Sequence, residues 1–92
     1  MSNEIIQNIY QNTKYLCKKN GIPLAELEKE IGVSVGYLSR AANSIGDIGI
    51  LKVARISEEL ETSVSDLIDS EIWKTDRIKE LREEIERLVN NG

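Results

Sequence analysis

The segment from Leu24 to Ala41, LAELEKEIGVSVGYLSRA, constrains this chain more than any other. Leu24, Leu27 and Ile31 recur at helical spacing and share one face. After Gly32, Val33, Leu38 and Ala41 supply a second apolar face, so two short helices must meet at a corner. A glycine at that junction takes positive φ without a Cβ clash, as a sharp helix-to-helix turn requires. Ser34 stands where an N-cap belongs, and the second helix is expected to run from Val35 to about Asn43.

The flanking sequence extends the helical pattern. A first helix is expected from about Glu4 to Lys19, with Ile5, Ile6, Ile9, Tyr10, Thr13, Leu16 and Cys17 at helical spacing. Asn20-Gly21 stops it, and Pro23 opens the next helix, where its missing amide costs little. A fourth helix begins after Asp47 or Gly49 and places Ile50, Val53, Ala54, Ser57 and Leu60 on one face. Ser63 and Asp66 form a capping box for a short fifth helix ending near Ile68. Beyond Asp69 the character changes, because residues 72–89, IWKTDRIKELREEIERLV, read as one long amphipathic helix. The expected fold is all-α, with a five-helix domain over residues 1–69 and a C-terminal amphipathic helix over 70–92.

The Gly32 corner has the spacing of a helix-turn-helix, whose second helix enters the DNA major groove. From about Ile9 to Ile68 the chain resembles the lambda-repressor-like (Xre/Cro-type) helix-turn-helix family. The residues that carry the resemblance are Leu16 with KKNG, the LAELEKEIGVS block, YLSR, and ARISEELETSVSDLI. There are three departures. Glu28 stands where the family usually has a small alanine between the two helices, and Pro23 replaces a common capping serine. The loop AANSIGDIG lacks the Lys and Arg residues often found there. A carboxylate facing the second helix is costly unless paired, so Glu28 is expected to turn outward to water or a basic neighbour.

Composition excludes most other chemistry. The chain has no histidine, which removes a Ser-His-Asp triad and any His-containing zinc site. A single cysteine, Cys17, forms neither an internal disulfide nor a multi-cysteine metal site. It is expected to be a small buried hydrophobe in a reducing, cytoplasmic setting. Glycines fall singly, with no phosphate-cradling loop. No catalytic residues, metal site or cofactor are expected. No apolar run approaches the roughly 18–20 residues of a membrane span.

The resemblance implies that the second helix of the corner reads double-stranded DNA. Its candidate contacts are Ser34, Val35, Gly36, Ser39, Arg40, Asn43 and Ser44, with Leu38 and Ala41 pointing to the core. Arg40 is the one charged side chain there and can fork onto guanine or clamp a phosphate. Val35 offers an apolar surface to a thymine methyl. Gly36 either lets the backbone approach DNA or is merely tolerated in a first turn. Tyr37 is expected to cover the corner. Asn43 and Ser44 suit phosphates. The net charge is −4, and residues 72–92 carry five basic and five acidic side chains, so the whole excess lies in residues 1–71. Phosphate neutralisation dominates DNA affinity, so the few cations must be grouped locally. The candidates are Lys14, Lys18, Lys29, Arg40 and Lys52.

In the tail, Ile78, Leu81, Ile85 and Leu88 repeat in a 3-4-3 pattern, a seam two heptads long. So short a seam must be buried against something, either its own domain or a second copy. Parallel pairing would set Arg77 beside the partner's Arg82, which favours an antiparallel or non-coiled contact. Trp73 either anchors that interface or caps the core. The sequence reading is a bacterial or phage DNA-binding regulator that occupies an inverted repeat as a homodimer. The alternative is a protein-binding module on the same fold: an antirepressor, an antitoxin or a phage-encoded inhibitor of a host protein.

Overall fold

A computed structural model of the chain describes residues 3–43 and 47–91. Six helices and no strand occur among them: α1 (Asn3–Asn20), α2 (Leu24–Glu30), α3 (Tyr37–Asn43), α4 (Ile50–Glu59), α5 (Val64–Ile68) and α6 (Ser70–Asn91). Helices α1 to α5 enclose one core. Ile6, Ile9 and Cys17 reach it from α1, Leu27 from α2, Leu38 and Ala41 from α3. Val53, Ile56 and Leu60 close it from the α4 side, with Leu67 from α5 and Ile48 from the loop before α4. The molecule measures 48 × 26 × 23 Å, elongated for a chain of this size because α6 alone is about 33 Å long at 1.5 Å per residue.

Helix ends account for most of the loop geometry. After α2, Gly32 at φ +81° donates its N–H to the Lys29 carbonyl, and Val33 donates to the Glu28 carbonyl. That crossed pair is a Schellman close, and it turns the chain at the corner. The same crossed pair ends α4, where Glu61 donates to Glu58 and Thr62 to Ser57. There the left-handed residue is Glu61 at φ +51°, a conformation unusual for a side chain that is not glycine. Ser63 caps α5 as expected, its Oγ accepting from the Asp66 N–H at 3.0 Å.

Two expectations about helix faces change. α4 buries Val53, Ile56 and Leu60, whereas Ile50 is 64% exposed and does not belong to the core face. A run of 53, 56 and 60 follows the helical period, and Ile50, in the first turn, lies off that face. Ser34 is not the N-cap of α3, because that helix starts at Tyr37 rather than Val35.

Candidate nucleic-acid interface

Between Gly32 and α3 the chain makes a second turn that the sequence pattern did not show. The Tyr37 N–H donates to the Ser34 carbonyl at 3.1 Å, closing a four-residue turn with Val35 and Gly36 at its centre. Gly36 sits at φ +89°, and Val35 is not among the residues with positive φ. Positive φ confined to the third residue defines a type II turn, which favours glycine there. Gly36 is therefore a backbone requirement of the turn. Ser34, Val35 and Gly36 precede the helix rather than forming its first turn.

Glu28 does what Ser34 was expected to do. Its side chain turns inward, not outward, and the residue is only 2% exposed. Oε1 accepts from the Gly36 N–H at 3.1 Å, and Oε2 accepts from the Leu38 N–H at 3.0 Å. Those amides belong to the N-terminal end of α3, where no intrahelical carbonyl is available to them. A carboxylate at that end also meets the positive pole of the helix. Burial is tolerable here because the charge is supplied with two donors, and the α2–α3 angle is pinned at the same time. At the other end of α3, Gln7 of α1 donates to the Ala42 carbonyl.

The charge of Glu28 is felt at Cys17. Burial first, and the Glu28 carboxylate second, push that thiol above its ordinary pKa of 9.0. Cys17 is buried, as expected of a small core residue.

On the side of α3 opposite Leu38, Ala41 and Ala42 lie Ser39, Arg40 and Asn43. Arg40 and Asn43 are exposed and Ser39 is half-buried. Arg40 folds back over the turn, with Nη2 donating to Ser34 Oγ at 2.7 Å and Nη1 to the Val35 carbonyl at 3.2 Å. A Cβ on residue 36 would stand 2.8 Å from Nη1, so glycine also makes room for this arginine. Asn43 donates to the Ser39 carbonyl at 2.8 Å. Val35 is exposed in the turn. Tyr37 is half-buried beside the corner, its hydroxyl 3.5 Å from the Asp47 carbonyl. Ser44 lies outside the described residues. The structure thus gathers Ser34, Val35, Gly36, Ser39, Arg40 and Asn43 along the turn and outer face of α3.

The expected cations do not all gather with them. Lys52 donates from α4 to the Ile31 carbonyl at 3.3 Å, and Arg55 donates to the Glu30 carbonyl at 3.1 Å. Both satisfy carbonyls at the C-terminal end of α2, the pole that favours positive charge. Lys18 lies 3.8 Å from Glu80 of α6, and Lys14 lies over the Tyr10 ring at 4.9 Å. Among the charged side chains of α3, Arg40 stands alone.

In the tail, Ile78, Leu81, Ile85 and Leu88 are all exposed in the single chain, Leu88 by 70%. Trp73 is instead half-buried against α1 and belongs to the domain side of the helix. No metal-ligating cluster occurs among the described residues, and none of their helices is long and apolar enough to cross a membrane.

A helix-turn-helix family model matches residues 14–67, which is more than half of the chain. The chain belongs to this family, the lambda-repressor-like (Xre) type of helix-turn-helix proteins. It is a family of DNA-binding regulators and generally not of enzymes. No curated protein and no solved structure matches the chain significantly.

Proposed function

We propose that this protein is a sequence-specific transcriptional regulator that occupies an inverted-repeat operator as a homodimer and represses from it. The observation that carries the DNA-binding part is the corner itself. A buried carboxylate and a type II turn fix α3, and its outer face presents Ser39, Arg40 and Asn43 with the turn residues Ser34 and Val35. Short polar groups and one guanidinium at a helix start suit phosphate positioning plus one or two base edges.

The dimeric part rests on α6. At 100° per residue, Trp73, Arg77 and Glu80 form the line nearest α1, and the Ile78–Leu88 stripe lies about a quarter turn away. Docking on the domain therefore leaves the stripe available. A two-fold antiparallel contact would oppose Ile78 to Leu88 and Leu81 to Ile85, which makes the stripe self-complementary. Two domains held together in this way engage both halves of a palindromic site. The setting would be the cytoplasm of a bacterium or of a phage-infected cell.

A gel shift with DNA from immediately upstream of its own gene tests the reading, with Arg40→Ala as the control. Saturable, salt-sensitive retardation that weakens in the variant supports it. Absence of binding at low salt rejects it. The second reading, a protein-binding module, is favoured by one observation: residues 1–71 carry the whole −4 charge, and Lys52 and Arg55 are engaged at the α2 terminus. An acidic domain that ignores DNA yet captures a basic host protein would establish it.

A further inference from the structure

Asn8 and Asn12 lie one turn apart on α1 and are buried with Ile6, Ile9 and Thr13. Asn12 Nδ2 donates to the carbonyls of Leu67 at 2.8 Å and Asp69 at 2.6 Å, while its Oδ1 accepts from the Trp73 N–H at 3.2 Å. Asn8 Nδ2 donates to the Ile68 carbonyl at 3.2 Å, and its Oδ1 accepts from Trp73 Nε1 at 3.4 Å. The partners are the last carbonyls of α5 and an early amide of α6, groups that helix ends leave without intrahelical partners. Two side-chain amides of a distant helix therefore hold the α5–α6 junction. Asn12 is fully buried, so releasing it would strand polar groups away from water.

This arrangement does more than cover a helix end. It fixes the point and the direction in which α6 leaves the domain, because backbone and ring of Trp73 are held separately. The stripe on the exposed side of α6 then has a set orientation relative to α3.

We infer that Asn8, Asn12 and Trp73 form a lock that makes α6 a rigid arm, which sets the separation of the two α3 helices in the paired protein. The lock thereby determines which half-site spacing the pair accepts. The inference rests on the dimeric reading above. The physical basis is preorganisation: a swivelling junction spreads the second domain over many positions, whereas a rigid one concentrates it at a single spacing. Asn8, Asn12 and Trp73 are positioning residues in this scheme, since they act through α6 and touch no DNA.

The test uses the full-length chain carrying a nitroxide at Glu26→Cys, an exposed position on α2, with the buried Cys17 left in place. Pulsed electron paramagnetic resonance reads the label-to-label distance, and sedimentation reads the oligomeric state of the same samples. Asn8→Ala and Trp73→Phe each break the side-chain bond between Asn8 and Trp73, and Trp73→Phe keeps an aromatic ring in place. The parent should give one narrow distance distribution, and both variants should remain dimers with a distribution roughly twofold broader, as a freed hinge produces. Selection from random duplexes should yield one spacing with the parent and several with the variants. An unchanged distance distribution and spacing in dimeric variants would overturn the lock and leave the dimer standing. A monomeric parent would overturn both.

Discussion

The corner between α2 and α3 and the outer half of α6 treat their side chains in opposite ways. At the corner a carboxylate, Glu28, is buried to 2% exposure, whereas on α6 Ile85 and Leu88 stand 59% and 70% exposed. Side-chain polarity alone would have placed each the other way round. Burial here follows the supply of partners. The start of α3 offers Glu28 two amides that need an acceptor, so the charge goes inside. α6 turns one line of residues to α1, and its stripe, a quarter turn away, is left exposed by the described residues. One region is complete within a single chain, and the other leaves an apolar stripe exposed there.

That contrast breaks first if the tail is a finished surface. Leu81→Ser with Ile85→Ser should leave the domain folded but convert a dimer at tens of micromolar into a monomer. Affinity for a two-half-site operator should fall by about 10²–10⁴-fold, because linked half-sites share an effective concentration that separate domains lack. Sedimentation and a gel shift on the same samples decide it; an unaltered mass would show that the stripe pairs nothing.

Next comes the corner. Glu28→Ala strands two amides in a dry site, and we expect a loss of about 2–4 kcal/mol in urea unfolding. Glu28→Gln keeps one acceptor oxygen and should lose less. If the alanine variant is as stable as the parent, the carboxylate is not what holds α3.

Arg40→Ala separates holding the helix from using it. DNA affinity should weaken by about 1–3 kcal/mol with unfolding unchanged, since the guanidinium is exposed. An affinity and salt dependence equal to the parent's would remove Arg40 from the interface. Gly36→Ala should do both kinds of damage. An alanine at φ +89° costs about 1–2 kcal/mol of stability, and its Cβ displaces the Arg40 guanidinium, so DNA binding should fall as well.

The smallest effect is a pH dependence. Burial and then Glu28 raise the Cys17 pKa above 9.0, so above that pH the folded chain keeps a proton that the unfolded chain releases. The contribution is intact below pH 9.0 and is lost as pH rises toward the folded value. Urea midpoints between neutral pH and pH 10 should fall less steeply in Cys17→Ala. Equal slopes in the two proteins would show that Cys17 does not contribute.

Local pattern made much of this protein legible. Periodicity of Leu, Ile and Val announced an all-α chain, Gly32 announced the corner, and Ser63 announced α5, because each depends on neighbours within a turn or two. The 3-4-3 spacing likewise located the α6 stripe. What only the tertiary structure decided lies in bonds between distant residues. The inward turn of Glu28 depends on amides 8 and 10 residues away, and the turn closed by the Tyr37 N–H on the Ser34 carbonyl delays the start of α3 to Tyr37. Lys52, offered by the sequence as a phosphate contact, is drawn to a carbonyl 21 residues earlier. The bonds of Asn12 and Asn8 to Trp73 span 61 and 65 residues, and nothing in the helical pattern of α1 distinguishes those asparagines from surface ones. A polar side chain is placed by whichever unpaired donor or acceptor the fold brings to it, and that partner is absent from the local sequence.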